Sequence, residues 1–188
     1  MHPSSRHNMD KARSKIEHDL GKDLTILDLG GRDIKPGQDR TYYPQFKDVC
    51  KNYYIADINT GGNVTHVMKG PYELPFEDNS IDLVVSGQTF EHIHNPFRAA
   101  HELTRVLKPS RYMIIIAPSS GPTHDNPDCW RFYRDSFKAI AQECGLKVIA
   151  DWIDDGKKWE NSPDAQWKNG EERSARWKDH VFVGQKPA

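Results

Sequence analysis

The residues with the clearest chemical use in this chain are an aspartate followed by paired glycines, Asp28-Leu29-Gly30-Gly31, and a second aspartate, Asp57, which ends the apolar run Tyr53-Tyr54-Ile55-Ala56. Glycine has no Cβ, so its backbone takes positive φ and lets a ligand lie directly against it. Asp28 stands where a carboxylate can accept bonds from loop N–H groups or face a cation. Asp57 has the place of the acid at the tip of a second strand, which in a nucleotide-binding crossover takes both hydroxyls of a ribose. The G-x-G-x-x-G pyrophosphate fingerprint is absent, because Gly30-Gly31 are followed by Arg32-Asp33-Ile34-Lys35-Pro36-Gly37. The pair therefore suits an adenosine ligand without a pyrophosphate and disfavours a nicotinamide oxidoreductase. The plainer alternative is an ordinary tight turn after a core strand.

Positioning these groups needs buried strands and covering helices. Leu24–Leu29 is a short apolar run that ends on glycine and reads as a buried parallel strand. Further strands are expected at 52–57, 64–68, 81–86, 112–117, 146–153 and 179–184. Residues 1–8 read as disordered. Asp10 to Leu20, with Ile16 and Leu20 four apart and Gly21 beyond, reads as an amphipathic helix. Pro36, Gly37 and Pro44 argue for a loop and a short helix over 32–50. Asn95 is a cap and Pro96 a first helical position, and Phe97, Ala100, Leu103, Val106 and Leu107 form the apolar stripe of a helix ended by Pro109. Asp135 caps a helix running to Cys144, and Gly145 stops it. Strands alternating with helices, with a late hairpin-like pair, predict an α/β fold whose sheet is mainly parallel with one antiparallel strand. Between the last two strands, residues 154–178 form a polar insertion carrying Trp159, Trp167 and Trp177, which is suited to packing on the body, closing over a substrate or meeting a partner.

Several stretches carry a family resemblance. Leu74-Pro75-Phe76-Glu77-Asp78-Asn79-Ser80-Ile81-Asp82-Leu83-Val84-Val85, then Glu91-His92, then Arg105-Val106-Leu107-Lys108-Pro109 follow the glycine turn in order. This set resembles class I S-adenosylmethionine (SAM) dependent methyltransferases of the type 11 family over about residues 24–148. Two departures stand out. The family's "KPGG" is Lys108-Pro109-Ser110-Arg111, and its acid before "LPF" is replaced by Lys69-Gly70-Pro71. The resemblance implies one Rossmann-like domain over residues 1–188, with a seven-stranded sheet in the order 3-2-1-4-5-7-6 and helices on both faces. It also implies SAM as cofactor. Asp28, Gly30 and Gly31 would then hold the methionine part and ribose, Asp57 the ribose hydroxyls, and Ile58, Tyr72, Glu73 and Leu74 the adenine. Ser86, Gly87 and Gln88 would lie under the sulfonium methyl group.

Methyl transfer is an in-line displacement from a good leaving group. The protein has to align the acceptor, exclude water and, for a hydroxyl acceptor, remove a proton. His124 is the first candidate base and His92 the second. Trp130, Arg131 and Tyr133 supply stacking and charge for the acceptor, expected to be a small molecule or glycan methylated at oxygen or nitrogen. The alternative is a non-catalytic SAM-binding regulatory or partner subunit.

Composition narrows the classes further. A net charge of −1 at pH 7 gives no basic face for nucleic acid. No apolar run approaches the length of a membrane span. The three cysteines, Cys50, Cys129 and Cys144, are too few and scattered for a disulfide framework or a zinc site, which fits a reducing cytosol. Asp125 and Asp128 alone claim no metal.

Overall fold

Leu24–Leu29, with five of its six residues buried, forms β1 at the centre of a seven-stranded sheet; the computed structural model describes residues 3–33, 41–154 and 177–188. The other strands are β2 (Cys50–Asp57), β3 (His66–Val67), β4 (Ile81–Gly87), β5 (Leu107–Ser120), β6 (Lys147–Ile153) and β7 (Lys178–Gln185). The helices are α1 (Pro3–Ser14), α2 (Glu17–Leu20), α3 (Tyr43–Phe46), α4 (Pro96–Val106) and α5 (Ser136–Glu143), with a 3₁₀ turn at Phe90–His92. The strand order is β3-β2-β1-β4-β5-β7-β6, as the family resemblance implied. All neighbours pair in parallel except β7, which is antiparallel to both β5 and β6.

Alternate residues of the strands feed two cores, the period-2 consequence of the pleat. Leu27 and Leu29 of β1, with Met113, Ile115 and Ala117 of β5, pack under α4 and α5 through Ala100, Leu103, Phe137 and Ile140. Leu24 and Ile26, with Ile114, Ile116, Val181 and Val183, pack on the opposite face against Met9, Ala12 and Ile16 and against Tyr42 and Phe46. Helices therefore cover both faces, and the central strands are largely apolar because neither face meets water.

The structure corrects five local expectations. Residues 3–8, expected to be disordered, lie in α1, and Ser5, Asn8 and Met9 are buried there. That helix stops at Ser14, and a break separates it from α2. Phe97 is 42% exposed, whereas Ala100, Leu103, Val106 and Leu107 of the expected stripe are buried together with Pro96 and Ala99, and Asn95 caps the helix by accepting from Arg98 N at 3.0 Å. Pro109 does not end that helix. The backbone is already extended at Leu107, and Pro109 lies inside a β5 that starts earlier than expected. Residues 108–111 bulge from the ladder, since Ile81 pairs with Leu107 and Leu83 with Tyr112. Ser110 takes φ +62° there, the conformation the family's glycine supplies, and its N–H donates to Lys186 O at 2.9 Å. Asp135 holds the cap position of α5, but its side chain makes no cap bond. Most of the Trp-rich insertion, residues 155–176, lies outside the described residues, as do residues 34–40.

Candidate functional site

Strand order reverses between β1 and β4, so the carboxyl ends of these two strands border the crevice where open α/β sheets take ligands. Leu29 pairs with Ala56 on one side and Ser86 on the other, which sets Gly30 between Asp57 and Gly87. Gly30 has φ +79° and donates its N–H to Ala56 O at 2.9 Å. A Cβ there would lie 2.2 Å from Thr89 Oγ1, so the glycine leaves room for a neighbouring hydroxyl as well as for a ligand. Thr89 Oγ1 in turn lies 3.4 Å from Leu29 O and 3.3 Å from Gly87 O. Ser86 Oγ donates to Leu29 O at 3.0 Å. Hydroxyls thus tie the tips of β1 and β4 together.

Asp28 is 1% exposed and braces the turn from below. Its Oδ2 accepts from Tyr53 Oη at 2.6 Å and from Tyr42 N at 3.2 Å, and Gly31 packs so closely that a Cβ would stand 2.7 Å from the carboxylate. Burial, with the Asp28 charge adding to it, pushes the Tyr53 and Tyr42 hydroxyls far above the phenol range, so both stay neutral. Tyr42 Oη pairs with Ser5 Oγ of α1 at 2.6 Å and sits under Gly87, where a Cβ would stand 1.7 Å from it. In the sequence Tyr53 reads only as the start of an apolar strand, and nothing there joins it to Asp28. Tyr53 meets Asp28 through its phenol and Tyr42 through its backbone N–H, just ahead of the short α3.

Asp57 Oδ1 accepts from Asn59 N at 2.8 Å and lies 3.4 Å from Arg32 Nε. Ile58, beside it, is 56% exposed. Tyr72 is half-buried, accepts a bond from Asn95 N at 3.0 Å and carries the Arg98 guanidinium over its ring at 4.5 Å. Glu73 is exposed, whereas Leu74 is buried in the core beneath α4 and donates its N–H to Glu102. Gln88 takes φ +56° and donates from Nε2 to Asp179 Oδ1 at 3.0 Å. An extended-strand tip held in the left-handed region is a strained feature of the kind that gathers at binding sites.

Beyond β4 and β5 the two candidate histidines come together, their rings 5.0 Å apart. His92 Nε2 lies 3.7 Å and His124 Nε2 3.9 Å from Glu91 Oε1. Glu91 is 0% exposed, neither carboxylate oxygen has a hydrogen-bond partner among the described residues, and burial pushes its carboxyl up to about 8. His124 N donates to Asp128 Oδ2 at 2.8 Å, and burial lowers the pKa of its ring. Arg131 clamps Asp128 through two bonds of 2.6 and 2.8 Å and holds that carboxyl well below the usual range. The Trp177 ring stands edge-on to His124 at 4.9 Å and beneath Arg131 at 5.6 Å. Of the acceptor-side residues read from the sequence, Arg131 is brought into this cluster. Trp130 stays at the surface, donating Nε1 to Ile93 O at 2.9 Å, and Tyr133 is 71% exposed. Glu91 is what sequence reasoning missed: it stood in the landmark pair with His92, but its burial comes from Cys129 and Trp130 returning their N–H groups to Glu91 O.

Comparison with known proteins agrees with this geometry. The family model described as "Methyltransferase domain" matches residues 42–115. An uncharacterized methyltransferase of Mycolicibacterium gilvum is 28% identical over 116 residues, covering 53% of this chain and 43% of its own length. The chain spans less than half the length of the curated relatives it matches. Among solved structures, Haemonchus contortus phosphoethanolamine N-methyltransferase 2 in complex with S-adenosyl-L-methionine superposes with a TM-score of 0.63 at 15% identity, over 96% of this chain and 53% of the other. The [4+2]-cyclase SpnF superposes with a TM-score of 0.66 at 13% identity, over 95% and 82%. At such identities the structures speak for the fold alone.

Proposed function

We propose that the chain is a class I SAM-dependent methyltransferase, and that residues 1–188 act as one domain that binds SAM across the β1/β4 crevice and transfers its methyl group to a small-molecule or glycan acceptor at oxygen or nitrogen. The observation that carries this reading is the row Asp57–Gly30–Gly87 at the switch point, an acid beside two glycines at the tips of adjacent parallel strands. Asp57 takes the ribose hydroxyls, Gly30 and Gly31 the methionine part with Asp28 bracing them, and Ile58 with Tyr72 and Glu73 the adenine. Leu74 serves that wall through its backbone, since its side chain is in the core. Ser86, Gly87 and Gln88 lie under the sulfonium.

The acceptor approaches from the β4/β5 side, where Arg131 stands beside the histidines and the exposed Trp130 and Tyr133 offer rings from the neighbouring surface. An oxygen attacks the methyl carbon as the S–CH₃ bond breaks, and the electron pair stays on sulfur. For a hydroxyl acceptor, His124, or His92 in second place, takes the proton. Alignment and water exclusion by the loop after β5 supply the rest of the rate. No helix among the described residues is long and apolar enough to cross a membrane.

The test is thermal shift with SAM, S-adenosylhomocysteine and NAD, followed by methyl transfer from labelled SAM. SAM and S-adenosylhomocysteine raise Tm and NAD does not. His124→Gln lowers turnover about 100- to 10,000-fold with S-adenosylhomocysteine affinity unchanged, the usual contribution of a placed base. A shift with NAD alone would overturn the cofactor assignment.

A further inference from the structure

We propose that Glu91, His92 and His124 form a binding site for a divalent transition-metal ion of the zinc class. One ligand atom from each lies within 4.8 Å of the others, and the two Nε2 atoms stand 3.7 and 3.9 Å from Glu91 Oε1. Tetrahedral donors at about 2.0–2.1 Å from zinc lie about 3.4 Å apart, so side-chain rotations on the order of 1 Å close the set.

Two further observations point to a ligand. Glu91 is fully buried, and neither carboxylate oxygen has a hydrogen-bond partner among the described residues, a costly state for a carboxyl group. The far nitrogens of both imidazoles are also turned to acceptors. His92 Nδ1 meets Pro127 O at 2.5 Å; a carbonyl only accepts, so Nδ1 carries the proton and Nε2 keeps its lone pair for a metal. His124 Nδ1 lies 3.4 Å from the Asp128 carboxylate without a hydrogen bond among the described residues, near enough for that carboxylate to become the outer partner that metal-bound histidines usually have. The Arg131 charge beside the cluster is neutralised by its paired bonds to Asp128. Two imidazoles and one carboxylate suit zinc, iron(II), cobalt or nickel, whereas magnesium and calcium prefer oxygen donors. Sequence spacing hid the set, because His124 reaches Glu91-His92 only through the loop after β5.

Three protein ligands leave a position open, as in catalytic metal sites. Under the proposed function, and resting on it, that position takes an acceptor oxygen. The metal lowers the pKa of a bound hydroxyl, the proton leaves to solvent, and the oxygen forms the new bond to the methyl carbon as the S–CH₃ bond breaks with its electrons on sulfur. The histidines are then ligands and no base is needed.

The experiment is calorimetry of the full, chelator-stripped chain with Zn²⁺ alone, and absorption spectroscopy with Co²⁺ alone, with S-adenosylhomocysteine binding measured on the same samples. The chain has nine histidines, so the exposed His94→Ala variant serves as the control. One equivalent of Zn²⁺ binds with Kd below about 1 μM, Co²⁺ gives visible d–d bands, and Glu91→Gln and His124→Ala each weaken Zn²⁺ at least about 100-fold, while His94→Ala changes nothing. Wild-type affinity in both variants, an adventitious ion only, overturns the proposal. So does the absence of Co²⁺ bands in the wild-type chain, which decides the matter should the variants fail to fold. Zn²⁺ binding without S-adenosylhomocysteine binding leaves the metal site standing and removes the methyltransferase reading; the reverse removes the metal site alone.

Discussion

Replacing Asp57 with alanine isolates the donor pocket from everything on the acceptor side. The carboxylate accepts one bond from Asn59 N, and its nearest cation is Arg32 Nε at 3.4 Å, with side-chain exposures of 28% for the arginine and 13% for the aspartate. A bound ribose adds two charge-assisted bonds, about 1.5–3 kcal/mol each at most. Two bonds to one carboxylate do not add fully, and binding gives up a partly exposed ion pair worth about 0–1 kcal/mol. The net loss in Asp57→Ala is then about 2–4 kcal/mol, or roughly 30- to 1,000-fold in Kd at about 1.4 kcal/mol per tenfold. The assay is calorimetry with S-adenosylhomocysteine at 25 °C, with Tm of the free protein as the check on folding. Arg32→Ala, which only removes the competing cation, leaves the affinity equal or up to about fivefold tighter. A folded Asp57→Ala protein whose Kd stays within threefold of wild type would refute the ribose assignment and with it the reading of the β1/β4 crevice.

Two other outcomes follow from the same region. Gly30→Ala loses about 2–4 kcal/mol of stability in urea denaturation, from the left-handed φ and from the overlap with Thr89, and Thr89→Ala in the same background restores about 1 kcal/mol; a Gly30→Ala protein as stable as wild type would show that the turn relaxes. For Asp179, burial raises the carboxyl to about 6 despite bonds from Gln88 and Asn8, against about 3.9 for an unfolded chain, so the folded state holds the proton more tightly. The stability this gives is complete below about pH 4 and is lost as the pH rises through 6, by up to about 3 kcal/mol. Asp179→Asn should therefore flatten the fall of Tm between pH 4.5 and 7 relative to wild type; parallel curves would place the charge in a better-solvated site.

Much of the sheet was legible because its strands are buried on both faces. Leu24–Leu29, Ile81–Gly87 and Val181–Val183 are apolar runs with no competing period. Strand order was not in the periodicity at all and came from the ordered motifs. Edges were read less well where tertiary contacts overrule local signals. Residues 3–8 look polar, yet Ser5 and Asn8 spend that polarity on Tyr42, Asp154 and Asp179. Pro109 looks like a helix stop because nothing local shows that Lys108 Nζ reaches Asp82 at 2.9 Å and anchors the bulge. At the site, Asp57 and Gly30 were legible because neighbouring parallel strands must align their tips. The Glu91 burial was not, because it depends on a loop more than thirty residues downstream folding back on it.

The antiparallel β7 has a consequence for how such a protein can change. Since β7 enters between β5 and β6 at its own start, Asp154 and Trp177 both lie at the carboxyl edge of β5, where Asp154 N meets Asp179 O at 2.8 Å. The sheet is thereby split into two halves with separate tasks. β1, β2 and β3 carry the proposed donor pocket, and the loops hung on β5, β6 and β7 carry the acceptor side. The two ends of the chain between β6 and β7, Asp154 and Trp177, both stand on the side of the proposed acceptor. Such a layout lets one half be rewritten, for a new acceptor, while the other keeps its grip on the same nucleoside.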